Sequence, residues 1–544
     1  MTTLKSVVLI GLLAASHPLT LQGQPHRMDP SSLGVVKVQT SCTQEAEAQF
    51  ETGLALLHHM MYEQAADAFT AAATADSACA MAHWGVAMSQ LHPLWAPPTE
   101  QAFQRGRQAL QAATAIDAAA DRPLTKRERG YLSAMKAYYD GEMASHTERL
   151  GAWEKALKRL HEANPEDVDA GAFYALAHLA VAPPTDKQFA HQRRAGALLE
   201  RLHERAPHHP GVFHYLIHAY DNPVLAERAV EVARGYHTIA PSVPHALHMP
   251  SHIFVRLGVW PEVAAWNARS AEAARQQPVG EKTSMHHAHA MDYRVYAYLQ
   301  QGLDRQAKEA LDEINAVTNY QDHFASAYGV AAAPARYSLE RGDWTAAARL
   351  PVRPRSGVPW DTYPHFEAIT YFARGLGAAR SGDLDGARRA LDTLDALHER
   401  TVEAGEAYWA VPVAAQRTTV AAWIAHAEGR HETARSLMQE AAELEDSVDK
   451  HPVTPGAVRP ARELLGDMLV LLGQPAAAMD AYRTALGGSP SRLNSLYGLG
   501  RAAELAGDRE GARAAYEQLV ALSPETEAGQ RTSVAEAKAF LARN

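Results

Sequence analysis

Seven times between residues 258 and 512 a glycine is followed five residues later by Ala or Val: Gly258/Val263, Gly302/Ala307, Gly342/Ala347, Gly382/Ala387, Gly429/Ala434, Gly473/Ala478 and Gly507/Ala512. Successive glycines are 44, 40, 40, 47, 44 and 34 residues apart, the range in which one repeat equals one pair of helices. Glycine can enter the left-handed region at a helix C-cap without a Cβ penalty, and the small residue sits where the second helix must approach the first. A chain punctuated in this way is expected to fold as an all-α superhelix, a solenoid of stacked α-hairpins with no β-sheet core. Such a stack specifies no chemistry, so function must be sought in side chains added to it.

The last two units carry a fuller pattern. Gly466 and Gly500, Ala478 and Ala512, Tyr482 and Tyr516, and Pro490 and Pro524 are each 34 residues apart. At these residues the chain resembles the tetratricopeptide repeat (TPR), and Gly53, Ala65, Phe69 and Ala72 fall at the same offsets near the N-terminus. The reading assigns degenerate TPR-like repeats to 41–455, with a histidine-rich block at 172–293, and TPR repeats to 456–544. Between 90 and 250 the pattern gives no repeat borders. The resemblance implies a concave groove that holds a peptide or partner helix, hence a protein-binding scaffold.

The formal charge is −10, from 52 Lys and Arg against 62 Asp and Glu, with the signs interspersed. Nucleic-acid binding, which needs a concentrated basic surface, is not expected. Lys5, an apolar run from Val7 to Ala15, and small and polar residues through Gly23 have the layout of a secretory signal over 1–23. A flexible segment, 24–40, is expected to follow, in a protein exported to the periplasm or secreted. No later stretch approaches twenty apolar residues, so no membrane span is expected in the mature chain. Cys42 and Cys79, the only cysteines, each begin a first-type helix in neighbouring repeats. An oxidising compartment favours a disulfide between them.

Of 28 histidines, 14 lie between His178 and His289. His191, His203, His208, His209, His237 and His287 stand among charged or turn residues and read as surface positions. The other eight lie in apolar surroundings. His214 and His218 share one helical face, a chelating geometry for a divalent metal. His245, His248 and His252 flank Pro250, which fits the first position of a new helix and leaves His252 in a first turn where the neutral ring is favoured. Pro250 can, however, break the helix between His248 and His252, which weakens their spacing as a signal. His286, His289 and Asp292 follow on one stripe, His178 lies on an apolar helix, and Asp221 caps the stretch after His218. First-type helices of a solenoid line one surface, so these rings can converge. Two readings follow: separate core histidines bonded to carbonyls and Tyr hydroxyls, or a shared metal site at His178, His214, His218, His245, His248, His252, His286 and His289. An all-imidazole set suits copper or zinc better than magnesium or calcium, and six or more rings suffice for two ions. Redox chemistry at copper and hydrolysis at zinc are then both open, an oxidoreductase or hydrolase as the alternative to the scaffold.

His209-Pro210-Gly211 through His218, Asp221-Asn222-Pro223, His245 through Gly258 and Asp449-Lys450-His451-Pro452 resemble a group of exported bacterial TPR proteins, which implies the fold and export and no activity. The zinc-protease helix is absent: Pro165, Pro207, Val402 and Arg435 stand four residues after the four His-Glu histidines. No phosphate loop, dinucleotide loop or serine elbow is formed. Trp95, in a proline-rich turn, reads as packing over a repeat junction or as a cleft wall. Glu445, Asp446, Asp449 and His451 read as a solvated helix end.

Overall fold

The computed structural model describes residues 28–119, 123–140, 145–524 and 531–543. The signal-like segment 1–23 lies outside them. The described residues form 26 α-helices and no β-strand, a TPR-like solenoid. All seven repeat glycines have positive φ, from +66° to +90°, and all seven small residues that follow them are fully buried. The sequence rule is therefore obeyed at every hinge. At Gly258 the requirement is doubled, because a Cβ there would also lie 2.6 Å from the Cβ of Ser491. The consensus aromatic explains a second glycine: Tyr482 lies over Gly466, leaving 2.7 Å for an added Cβ.

The unresolved stretch of the sequence reading becomes definite. Lys126–Tyr139 pairs with His146–Ala163, and Val168–Ala180 with Ala190–Arg205. Pro210–Tyr220 follows, its partner reduced to short turns between 226 and 238. Pro244–His248 and Pro250–Leu257 then run almost as one helix, since Met249 between them is helical (φ −54°, ψ −36°). Pro250 loses nothing there, because the first turn of a helix has no acceptor for its N–H.

Three expectations are corrected. The segment 24–40, where described, is packed: Leu33 is buried, its carbonyl accepts from His59 Nε2 at 3.0 Å, and Val35 N–H donates to His208 O at 2.8 Å. His209 and His287 are buried, not on the surface, because each stands at the start of a first-type helix, and those starts lie inside the stack. The acidic run before Pro452 is tied down by partners, although Asp446 stays exposed. Glu445 accepts from Ala461 N–H at 2.7 Å, Asp446 pairs with Arg462 at 2.6 Å and Asp449 with Arg256 at 3.0 Å. Cys42 and Cys79 are disulfide-bonded, Cα–Cα 4.8 Å, joining the starts of Gln44–His58 and Ala80–Met88.

The superhelix turns tightly enough that both ends reach its middle. Gln44–His58 touches Pro210–Tyr220, and Met285–Gln300 touches Leu493–Ala506. The hollow is further occupied by the chain itself. Residues 447–460 form an irregular strap whose main chain accepts from Tyr408 at Asp449, from Tyr293 at Pro452 and from Arg336 at Gly456, at 2.8, 3.2 and 2.7 Å. These bonds satisfy carbonyls that a buried irregular segment would otherwise leave unpaired.

Candidate metal centre

Beneath the strap, three consecutive first-type elements bring their histidines together. His214 and His218 come from Pro210–Tyr220, His245, His248 and His252 from the joined helix around Pro250, and His286 and His289 from Met285–Gln300. The i,i+4 spacing read from the sequence does what it implies: His214 and His218 face one another with Nε2 atoms 3.1 Å apart, and His248 and His252 with Nε2 atoms 3.0 Å apart. His245 joins the first pair, Nε2 to Nε2 of His214 at 3.2 Å. His289 joins the second, and in each trio one ligating atom per residue lies within 4.8 Å of the others. His286 stands beside both, its ring 5.2 Å from that of His245. All seven are buried.

The proton inventory decides what this arrangement can do. The Asn267 amide nitrogen donates to Ser251 Oγ at 2.6 Å and to Val263 O at 2.7 Å, so Asn267 Oδ1, 2.7 Å from His248 Nδ1, must accept. His248 therefore carries its proton on Nδ1. Asp221 Oδ2 accepts from His252 Nδ1 at 2.8 Å, which fixes the same tautomer. The two Nε2 lone pairs then point at each other across 3.0 Å with no proton between them. Protonating a ring is opposed by burial, which pushes the His248 imidazole well below its ordinary value and lowers that of His252. His214 repeats the pattern: its Nδ1 donates to the His58 carbonyl at 2.6 Å, so its Nε2 presents a lone pair to His218 and His245. Burial also holds His214, His218, His245 and His289 well below the ordinary value, with neighbouring imidazoles adding to it. Nδ1 of His245, His286 and His289 is buried without a hydrogen-bond partner.

Neutral imidazoles with converging Nε2 lone pairs, oriented through Nδ1 by a carboxylate, an amide and a carbonyl, are donors of the kind that late transition metals accept. The residues fit the copper or zinc expected from sequence. Asp221 is itself held. Burial works to raise its carboxyl, but Lys450, Arg256 and His252 keep it well below the carboxylate range. Lys450 Nζ lies 2.9 Å from the same oxygen that orients His252. Trp95 forms a wall of the cleft: its ring is 5.4 Å from His245 and 6.3 Å from His286.

His178 does not join. Its Nδ1 is 3.0 Å from Glu154 Oε1 and its ring stacks on His191, because Val168–Ala180 lies one repeat too far toward the N-terminus. Asp292 shares the stripe with His286 and His289 but turns to Arg336, 2.9 Å away. Sequence reasoning missed Asn267, on the second helix of its hairpin, and gave Asp221 only a capping role. It also missed a separate group, His58, Asp169 and His209, whose signal was the apolar run Leu56-Leu57-His58-His59-Met60.

The family model described as tetratricopeptide repeat matches residues 493–526. No curated protein matches the chain. Among solved structures, the APC/C hetero-tetramer Cut9-Hcn1 is similar at 13% identity, covering 92% of this chain and 76% of that one, with a TM-score of 0.38. A monomeric IFIT1 mutant with Gppp-AAAA is similar at 13% identity, covering 94% and 98%, with a TM-score of 0.35. No described helix is long and apolar enough to cross a membrane.

Proposed function

We propose that this protein is a TPR solenoid built around a metal centre, one ion held by His248, His252 and His289 and a second by His214, His218 and His245. The observation that carries the reading is the facing pair of lone pairs on His248 and His252, 3.0 Å apart with both Nδ1 protons committed elsewhere. A shared Lewis acid turns that repulsion into two bonds. Copper is favoured over zinc because it has the highest affinity of the divalent series for nitrogen ligands. Nε2 spacings of 3.0–3.2 Å subtend about 91–106° at an ion bonded at about 2.0–2.1 Å, which admits tetragonal and tetrahedral arrangements alike. A pair of such ions supports redox chemistry, so the enzyme class proposed is a copper oxidoreductase, in an exported protein as the first 23 residues imply.

Elemental analysis of the full-length protein, purified without added chelator and again after copper loading, tests this. Near-stoichiometric copper is expected, with one ion lost when His214 and His218 are both changed to Ala. Metal-free protein after loading, or copper that survives the loss of both histidine pairs, overturns it.

The solenoid fold and the repeat match at 493–526 suggest a protein-binding scaffold as well. In the central repeats the groove is filled by the strap 447–460, so the partner surface proposed is that of the C-terminal repeats. Changing Tyr497 and Arg501, which line the C-terminal groove, both to Ala, with loss of binding of a cross-linked partner and copper content unchanged, would separate the two roles.

A further inference from the structure

We infer that the space outside His218 is an entry and binding site for a small anion that fills the open coordination position at the His214, His218 and His245 ion; the inference rests on the metal reading above. Three imidazoles leave an ion at least one position for an exogenous ligand. Of these three rings only His218 reaches past the core, with 9% of its surface exposed against 0% for His214 and 2% for His245. It lines both the histidine cleft and a neighbouring vestibule of about 200 Å³. The way to the ion is therefore past His218.

The vestibule is walled by Leu94, Leu179 and Pro183, with Lys450 and Asp221 at its inner end. Its charges nearly cancel. Lys450 is 2.9 Å from Asp221, and Arg256 bridges Asp221 and Asp449 at 2.8 and 3.0 Å. Asp186, also at the rim, is occupied by the N–H groups of Gln188 and Ala190 at 2.8 and 2.9 Å. A divalent ion behind His218 then gives the inner end a net positive charge, and apolar walls strengthen its pull on an anion. The ligand class is a monodentate anion of the size of azide or a small carboxylate. Binding forms one donor-atom bond to the ion and moves no proton or electron.

The test uses the copper-loaded full chain titrated with sodium azide, following the azide-to-copper charge-transfer absorption while elemental analysis tracks copper. Saturable binding is expected in the parent protein. Ala180→Asp, which sets a carboxylate in the vestibule wall, should weaken it about tenfold by charge repulsion, and Ala182→Trp, which plugs the vestibule from a partly exposed loop, at least as much. Both variants should keep their copper. Stoichiometric copper with no azide absorption, or with azide affinity unchanged in both variants, overturns the vestibule and leaves the metal reading standing. Failure to take up copper at all overturns both.

Discussion

Two buried clusters lie close together in this protein and differ in one respect. His58, Asp169 and His209 form a trio as compact as His248, His252 and His289. In the first, His58 Nε2–H donates to Asp169 at 2.8 Å and Nδ1 accepts from Tyr215 at 3.0 Å; His209 Nε2–H donates to Asp169 at 3.0 Å and Nδ1 accepts from Val212 N–H at 3.3 Å. Every proton has an acceptor and every lone pair a donor. In the second, no carboxylate stands inside the trio and two lone pairs oppose each other. Density of ligating residues is equal in the two; the hydrogen-bond inventory separates a cluster that satisfies itself from one left with opposed lone pairs.

Four mutational comparisons and one titration can break or sharpen that contrast. The largest effect is expected from changing His248 and His252 to Ala together, which should remove one ion, an interaction on the order of 10 kcal/mol, while His209→Ala leaves metal content unchanged by elemental analysis. Equal loss in both variants would erase the distinction. Next, Asp169→Ala strands two buried imidazole N–H groups and should cost about 3–5 kcal/mol in urea denaturation, again with full metal content. Changing both Cys42 and Cys79 to Ser, at a sequence separation of 37, should cost about 3–4 kcal/mol, measured by denaturation and without loss of metal.

Smaller still is Asn267→Leu. It frees the His248 tautomer, so that Nε2–H can donate to His252 and the repulsion disappears without metal. Metal affinity should fall about 10–100-fold, the usual effect of losing an orienting contact, by competition with a chromophoric chelator. Smallest per pH unit is acid sensitivity. Burial lowers His58 and His92 to about 4 and His59 to about 3 from an ordinary 6.5. The unfolded chain binds protons that the folded one refuses, so stability is full above pH 6.5 and falls as the pH drops toward 4, by about 1.4 kcal/mol per unit for each residue. Thermal melts of metal-free protein between pH 7 and 4.5 should show Tm falling with pH, less steeply in His59→Gln.

The strap sharpens the contrast from another side. It covers the histidine cleft with Pro452 and Val453 and leaves the His58 cluster to be buried by ordinary helix packing. Its acidic anchors looked like solvent-facing charge because their partners lie beyond the local helix turn. Asp446 meets Arg462 from 16 residues away and Asp449 meets Arg256 from 193. Separation along the chain also hid the link between Asp221 and His252, 31 residues apart, and between Asn267 and His248. Short-range spacing, by contrast, carried real information: both i,i+4 histidine pairs face one another.

What the chain determined by its sequence alone was the hinge at each of seven glycines, the burial of the small residue after it, the all-α stack and the local pairing of histidines. These depend on backbone sterics and helical period, which act over a few residues. The exclusion of His178, the inclusion of His58 and His209 in a separate cluster, the strap across the hollow and the tautomer of each ring were decided by the tertiary structure. Those outcomes depend on which donor meets which acceptor after the superhelix closes, and no spacing along the chain encodes the curvature that brings them together.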